Sequence, residues 1–205
     1  MQTKQIIGLF LLLIGLSLIG FAYYARWDTK HANEKAISQF EELLNNIETP
    51  KTIPSPKEDT KSTKEEQPEK PTEPTLTEDS IGILSIPKID LKVIIKEGTD
   101  MRTLRRAVGH FTETPYPWED GNFAIAGHRQ YTYGEFFNRV DEIEIGDTAT
   151  VQTLHGTFEY TISNIQVVDP TQVDVIEDQD INCMTIVTCI KGGTKRIILS
   201  ATKNQ

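Results

Sequence analysis

Cysteine, histidine and basic side chains are scarce in this chain of 205 residues. Two cysteines exclude a disulfide-stapled scaffold and a four-cysteine zinc site, and four histidines argue against a histidine-rich metal centre. The net charge of −9 argues against nucleic acid as a partner and against an anionic-lipid binder, because no basic patch stands out. The hydrophobic fraction of 38% is below the usual value of about 45–50%, so part of the chain should lie outside a packed core.

One long uncharged run does occur, over residues 6–24 near the N-terminus. As a helix it would be roughly 28 Å long, about the thickness of the hydrocarbon core of a bilayer. Tyr23, Tyr24 and Trp27 lie at its outer end, as is typical of the membrane interface. The alternative is a cleaved signal peptide, whose apolar stretch is usually only about 7–15 residues long and ends in a small-residue cleavage site. We interpret residues 1–27 as a retained single-pass membrane anchor, with its N-terminus inside and the rest of the chain outside.

The next block, residues 28–80, consists of two segments of different composition. Ile37, Phe40 and Leu44 recur at helical spacing, which predicts an amphipathic helix over 28–48. Such a helix could self-associate as a stalk, pack on its own domain or lie on lipid, and the spacing does not distinguish these. Residues 49–79 are mostly Pro, Lys, Glu, Thr and Ser and cannot bury enough apolar surface to fold. They predict a disordered tether that lets the following domain range away from the membrane.

Residues 81–205 carry a different pattern of short apolar and β-branched segments separated by turn residues. This pattern predicts an all-β barrel or sandwich with one hydrophobic core. Short helices are expected over 101–108 and 135–140. The eight predicted strand segments are 81–86, 91–95, 123–126, 148–153, 157–162, 165–168, 184–187 and 196–201.

The two cysteines lie six residues apart in one strand-like run, so they should be roughly 20 Å apart and unable to form a disulfide. Cys183, inside the run, is interpreted as buried and inert. Cys189 is followed by Gly192 and Gly193, a two-residue hairpin signal that would pair Cys189 with Arg196. A guanidinium beside the thiol would favour the thiolate and could hold a developing oxyanion. A longer loop would change this register.

A cysteine nucleophile also needs a proton acceptor and donor, usually histidine. His155 lies in a predicted turn and is interpreted as solvent-exposed, whereas His110 follows a helical stretch and could cap or pack. His128 ends the apolar run 123–126 after Gly127, at a strand end where sites commonly form. The residues alone favour His128 over His110 without excluding His110.

Taken in order, these elements resemble the sortase family over about residues 80–202. Sortases are membrane-anchored cysteine transpeptidases of Gram-positive surfaces. The resemblance implies an eight-stranded β-barrel, with Cys189 as nucleophile, His128 as proton donor and acceptor, and Arg196 as the group that holds the oxyanion or substrate. Thr188 either binds substrate or simply packs. The segments that carry the resemblance are Ile83-Leu-Ser-Ile-Pro-Lys-Ile-Asp90, Glu97-Gly-Thr-Asp100, Ala107-Val-Gly-His110, Ala126-Gly-His-Arg129, Thr185-Ile-Val-Thr-Cys189 and Arg196.

The resemblance also implies the partners. The substrates would be secreted proteins with a C-terminal sorting signal of Leu-Pro-x-Thr-Gly or Leu-Pro-x-Thr-Ala type, and the acceptor an amine on a peptidoglycan precursor, with no cofactor or metal. The order of segments most resembles class D of the family, with class A the close competitor. Only six residues separate Cys189 from Arg196, fewer than in many relatives, which leaves the substrate subclass open. The alternatives are a tethered cysteine hydrolase that does not transfer and a non-catalytic surface β-domain that binds a partner.

Overall fold

The computed structural model describes residues 2–48, 79–129, 136–179 and 181–204. Residues 49–78, where the tether is predicted, lie outside this description. Helix α1 (Gln2–Glu48) precedes the strands, and a short helix α2 (Met101–Leu104) separates two of them. The strands are β1 (Ser80–Ile86), β2 (Leu91–Glu97), β3 (Val108–His110), β4 (Asn122–Ala126), β5 (Thr148–Thr153), β6 (Gly156–Val168), β7 (Cys183–Cys189) and β8 (Arg196–Lys203).

The eight strands close into a barrel in the order β1-β2-β3-β4-β7-β8-β6-β5. The β2–β3 and β4–β7 pairs are parallel, and the other six pairs are antiparallel. Alternate side chains point inward and fill the barrel, as closure of a small barrel requires. They include Phe123, Tyr160, Met184 and Leu199, and Phe137 from the turn over residues 136–139 adds to the same core. The prediction of an eight-stranded β-barrel is confirmed.

The number of strands was predicted correctly from a partly wrong segmentation. The predicted segments 157–162 and 165–168 are one strand, β6. The polar pair Ser163–Asn164 is a β-bulge against β8 and not a turn, and the Ser163 hydroxyl donates to the Ser200 carbonyl at 3.1 Å. A bulge leaves one residue unpaired, so its sequence looks like an interruption although the strand continues.

The missing strand is β3, which lies at the end of the segment predicted as a helix. That helix stops at Leu104, and the chain turns into β3 at Val108. Three residues are too few to produce an alternation that could be read from the sequence. The second predicted helix is a turn over residues 136–139 followed by a 3₁₀ turn, Val140–Glu142, while residue 135 lies outside the described residues.

The predicted anchor and the predicted amphipathic helix are a single helix of 47 residues, α1. Its N-terminal half is long and apolar enough to cross a membrane, and its large apolar side chains there are exposed. Its C-terminal half packs on the outside of the barrel. Of the three interpretations of the amphipathic helix, the structure supports packing on its own domain. The buried contact consists of Ala36, Ile37 and Phe40 of α1 with Ile83, Ile94 and Ala107 of the barrel.

Polar contacts add to this packing. Strand β2 pairs with β3 only from Ile95 onward, so its preceding residues have no described strand partner on that side. Asn33 of α1 occupies part of this edge. Its Nδ2 donates to the Lys92 carbonyl at 3.0 Å, and its Oδ1 accepts from the Ile94 N–H at 3.1 Å. Because one side chain satisfies both backbone groups, α1 is held in a defined position along β2.

Candidate active site

Strands β4 and β7 bring His128 and Cys189 to the same end of the barrel. The two strands are parallel, with Ala126 paired to Val187, and the Gly127 N–H donates to the Val187 carbonyl at 3.1 Å. Continuing this register by two residues puts His128 opposite Cys189. Neighbouring strands are about 4.8 Å apart, so the imidazole and the thiol start from adjacent backbone positions.

On its other side, Cys189 pairs with Arg196 of β8, as the turn residues predicted. The turn itself is longer than the predicted two-residue hairpin. The Gly193 N–H donates to the Ile190 carbonyl at 2.9 Å, and the Ile190 N–H donates to the Lys195 carbonyl at 3.2 Å. The observed turn and the predicted two-residue loop are both centred between Gly192 and Gly193, so the pairing of Cys189 with Arg196 is the same in both. Gly192 and Gly193 have φ angles of 95° and 74°, which only glycine adopts without strain.

The two cysteines are both free and differ in their surroundings. Cys183 is buried, and its thiol donates to Oδ1 of Asn122 at 3.4 Å. Burial, followed by the charge of Asp178, raises the pKa of the Cys183 thiol. Cys189 is partly exposed at the end of β7. The absence of a disulfide between them and the buried position of Cys183 agree with the sequence-based predictions.

His128 is partly buried beside a close backbone approach. A Cβ atom on Gly127 would come within 2.3 Å of the Phe137 ring, so only glycine lets the chain pass there before His128. The pKa of His128 is lowered from its ordinary value of 6.5. Burial is the main cause, and the positive charge of Arg105 is the second. The Nε2 atom of His128 is buried and has no hydrogen-bond partner among the described residues. The lowered pKa favours the neutral form of the imidazole.

Arg196 directs its guanidinium over the β7–β8 turn. Its Nη1 donates to the carbonyls of Gly193 at 3.1 Å and Lys195 at 3.4 Å. These bonds fix the guanidinium at the turn that follows the Cys189–Arg196 pair and leave its remaining donors for a bound group.

Thr188 lies on the opposite face of β7 from Cys189. Its side chain is buried and paired with Ile197, whose side chain belongs to the barrel interior. Its hydroxyl oxygen has no partner among the described residues. This position favours the packing role that the sequence left open, while substrate contact by Thr188 remains a prediction.

The other two histidines of the barrel lie away from this end. His110 is fully buried on β3, where its Nδ1 is 3.2 Å from a Glu97 oxygen and its Nε2 is 3.1 Å from the Thr114 hydroxyl. It is a packing residue, as one of the sequence interpretations held. His155 is exposed in the β5–β6 turn, as predicted, and stacks on Trp118 with ring centroids 4.0 Å apart.

Two basic residues near His128 were not singled out from the sequence. Arg129 buries its side chain and forms a two-point ion pair with Asp141, which ties the chain after His128 to the turn Val140–Glu142. Arg105 acts on His128 through its charge. Arg129 had one sequence signal, its position next to His128, whereas Arg105 is 23 residues away in sequence and only the fold brings it close.

Comparisons with known proteins agree with this geometry. A model of the sortase domain matches residues 84–204. Sortase D of Bacillus subtilis (strain 168) is 32% identical over 173 residues, which is 84% of this chain and 82% of that protein. Sortase A of Bacillus anthracis is 25% identical over 122 residues, 58% of each chain.

Solved structures lead to the same family. A Clostridium perfringens Sortase D5 transpeptidase superposes with a TM-score of 0.65 at 30% identity and covers 85% of this chain and 99% of its own. Sortase C1 of Streptococcus agalactiae shares the fold at 24% identity with a TM-score of 0.59, over 62% of this chain and 68% of its own. The greater similarity to class D than to class A, over most of the chain, agrees with the order of segments. With its barrel, its register of cysteine, histidine and arginine, and these relatives, the chain belongs to the sortase family of cysteine transpeptidases.

Proposed function

We propose that this sortase cleaves a C-terminal sorting signal of Leu-Pro-x-Thr-Gly or Leu-Pro-x-Thr-Ala type after the threonine and transfers the acyl group to an amine of a peptidoglycan precursor. The observation that carries the proposal is the register of three adjacent strands, in which Cys189 has His128 on one side and Arg196 on the other. No cofactor takes part in the proposed chemistry.

The first half-reaction forms a thioacyl-enzyme. The Cys189 thiol gives its proton to the neutral His128 imidazole, and the sulfur attacks the carbonyl carbon after the threonine. Arg196 donates hydrogen bonds to the oxyanion of the tetrahedral intermediate. The C–N bond then breaks, and His128 returns the proton to the departing amine.

The second half-reaction releases the product. The acceptor amine attacks the thioester carbonyl, and His128 takes its proton. The C–S bond then breaks, and His128 passes the proton to the sulfur, which gives a new amide and the free Cys189 thiol. Water in place of the amine gives hydrolysis by the same route. The hydrolase alternative therefore differs from the transpeptidase only in which nucleophile resolves the thioester.

Membrane anchoring is the second part of the proposal. Residues 1–27 form the anchor, 28–80 the docked helix and tether, and 81–205 the catalytic domain, which lies outside a single-pass anchor whose N-terminus is inside. The length and apolarity of α1 support the anchor. A tethered enzyme meets secreted substrates where they emerge, at high effective concentration.

The test uses the full chain in detergent micelles, because truncation before β1 would uncover the apolar contact of Ile83, Ile94 and Ala107 with α1. Quenched peptides of both signal types are incubated with and without amine acceptors, beside Cys189→Ala and the matched control Cys183→Ala. We expect ligated product that Cys189→Ala abolishes and Cys183→Ala retains. Free acid alone with every acceptor would favour the hydrolase, and no cleavage of any peptide by folded protein would refute the substrate assignment.

A further inference from the structure

Helix α1 connects the proposed membrane span to the barrel without a break. It is continuous from Gln2 to Glu48, and its second half is fixed to the barrel by Phe40 in an apolar contact and by Asn33 on the edge of β2. The predicted tether, residues 49–79, follows this docked segment in the chain. While α1 stays docked, the tether therefore does not set the distance between the barrel and the bilayer.

The position of α1 gives that distance. If the span ends at Tyr24, Asp28 lies about 6 Å beyond it at 1.5 Å per residue. The headgroup layer on each side of the hydrocarbon core is about 5–7 Å thick, so Asp28 lies at the level of the headgroups. Its carboxylate is 3.6 Å from the Arg106 guanidinium. Arg106, a residue of the barrel domain, consequently lies at headgroup level as well.

Arg106 belongs to a local basic surface that the overall charge conceals. Arg102, Arg105 and Arg106 are all exposed on the helical turn formed by α2 and the residues after it, and positions 102, 105 and 106 share one face of that turn. Among the described residues, the acidic groups that contact this turn are Asp100 and Asp28, so three arginines face two carboxylates in a chain of net charge −9. We call these three residues the arginine surface. Composition alone argued against contact with anionic lipid, and the fold gives a specific place where it can occur.

The arginine surface adjoins the catalytic end of the barrel. Strand β3 pairs antiparallel with β4 through Gly109 and Ala126, so one further step puts Val108 opposite Gly127. A Cβ atom on Gly127 would indeed lie 3.3 Å from Val108 Cγ2. The turn that carries Arg105 precedes Val108 directly and therefore lies beside His128.

The β5–β6 turn with His155 lies at the other end of the barrel. The strand directions require this. Strand β4 is antiparallel to β3, and β3 is parallel to β2. Strand β2 is antiparallel to β1, which is antiparallel to β5, so β5 runs opposite to β4. The β4 strand ends at the catalytic end, so β5 ends opposite to it.

From these contacts we infer that the β3–β4 side of the catalytic end of the barrel is held against the bilayer, with the arginine surface on anionic lipid headgroups. Lys92, at the same end of β2, contacts Glu41 further along α1, so the β2 side of that end lies farther from the bilayer. Cys189 then faces polypeptides and acceptors that are still attached to the membrane and not those in bulk solvent. Each basic side chain near an anionic surface contributes roughly 1 kcal/mol to such contact, enough to bias the orientation of an already anchored domain. The inference rests on the proposed anchoring by α1.

The test measures the depth of two thiol-attached fluorophores in the full chain reconstituted in lipid nanodiscs. One fluorophore is on Cys189, and the other is on position 155 in the double variant His155→Cys, Cys189→Ala. Spin-labelled headgroup lipids serve as quenchers, in phosphatidylcholine alone or mixed with phosphatidylglycerol. We expect several-fold stronger quenching at position 189 than at 155, and a larger difference with the anionic lipid.

Two charge variants make the test specific. Arg102→Gln with Arg105→Gln should remove the dependence on anionic lipid, whereas Lys96→Gln with Lys203→Gln removes the same charge at the opposite end and should not. Equal quenching at both positions, or stronger quenching at 155, in chains that are retained in the nanodisc would overturn the inference. Chains that are not retained would instead overturn the proposed anchoring, and peptide ligation in micelles tests the transpeptidase activity independently of both.

Discussion

Cys189 and Arg196 are direct partners across the β7–β8 ladder, and the Arg196 guanidinium bonds the carbonyls of Gly193 and Lys195 in the turn beside them. The turn thus fixes the position of the guanidinium before substrate arrives. Lysine has its three donors on one nitrogen and lacks the planar fork, in which one guanidinium nitrogen bonds the turn and the others can point elsewhere.

Arg196→Lys should lower kcat by about 10-fold or more, and Arg196→Ala by about 100-fold or more, the usual loss when an oxyanion donor is removed. Steady-state ligation of the sorting-signal peptide measures both. Thermal unfolding serves as the control and should change little, because the side chain is only partly buried. Full kcat in Arg196→Lys would mean that charge alone, without the forked geometry, is sufficient.

Cys189 should react with iodoacetamide well before Cys183 near pH 7. Cys183 is buried, bonded to Asn122 and has a raised pKa, so little thiolate is accessible there. Peptide mapping by mass spectrometry gives the two rates, with Cys183→Ala as the control for the Cys189 rate. Similar rates at both thiols in the folded chain would contradict an activated Cys189.

Arg105→Gln should raise the pKa of His128 toward its ordinary value without reaching it. The positive charge of Arg105 disfavours the imidazolium, but burial, the larger cause of the lowered pKa, remains. NMR titration of the His128 ring in a Cys189→Ala background measures the shift.

The same change should affect activity. If the reaction begins with neutral His128, a higher pKa moves the acidic limb of kcat/KM to higher pH. Arg102→Gln is the matched control and should leave both quantities nearly unchanged, since Arg102 is not among the groups that shift His128. A pKa unaffected by Arg105→Gln would show that the two groups are farther apart in solution.

Gly127→Ala should destabilise the barrel and lower turnover together. The added methyl would lie 2.3 Å from the ring of Phe137, a fully buried side chain that cannot move aside freely. Overpacking of this kind costs about 1–3 kcal/mol in the free energy of unfolding. Urea unfolding and peptide turnover provide the measurements, and a second change, Phe137→Leu, should restore part of both. No loss in Gly127→Ala would mean that the chain before His128 has room for a side chain.

Asn33→Ala should loosen α1 from the barrel. The change removes two hydrogen bonds to β2 and leaves the Ile94 N–H and the Lys92 carbonyl without that partner. The free energy of unfolding should fall by about 1–3 kcal/mol, because the two backbone groups lose their partner. Hydrogen exchange of the Ile94 amide is the direct measurement. The exposed Ser38→Ala is the control, since the described hydrogen bond of Ser38, to the Lys35 carbonyl, lies within α1. Unchanged protection at Ile94 would contradict the docking.

Part of the barrel was predictable because its information is local. The segments that became β1, β2, β4, β5, β7 and β8 were recognised from apolar and β-branched runs bounded by turns. Strand β3 was missed because three residues carry no period, and β6 was divided because a bulge residue resembles a turn residue. At the site, Cys189 and Arg196 were found together because a hairpin register depends on only a few neighbouring residues. The choice of His128 needed the family resemblance, since β4 and β7 are distant in sequence and their parallel register is set by the closed barrel.

By itself, the sequence determined the apolar helix, the β class of the last domain and the pairing of Cys189 with Arg196, because each follows from contacts between near neighbours along the chain. The tertiary structure decided where α1 packs, what surrounds His128, and that Arg102, Arg105 and Arg106 form one surface beside the site. Such arrangements join residues far apart in sequence. They exist only once barrel closure and burial of the apolar face of α1 have brought those segments together, which no local pattern encodes.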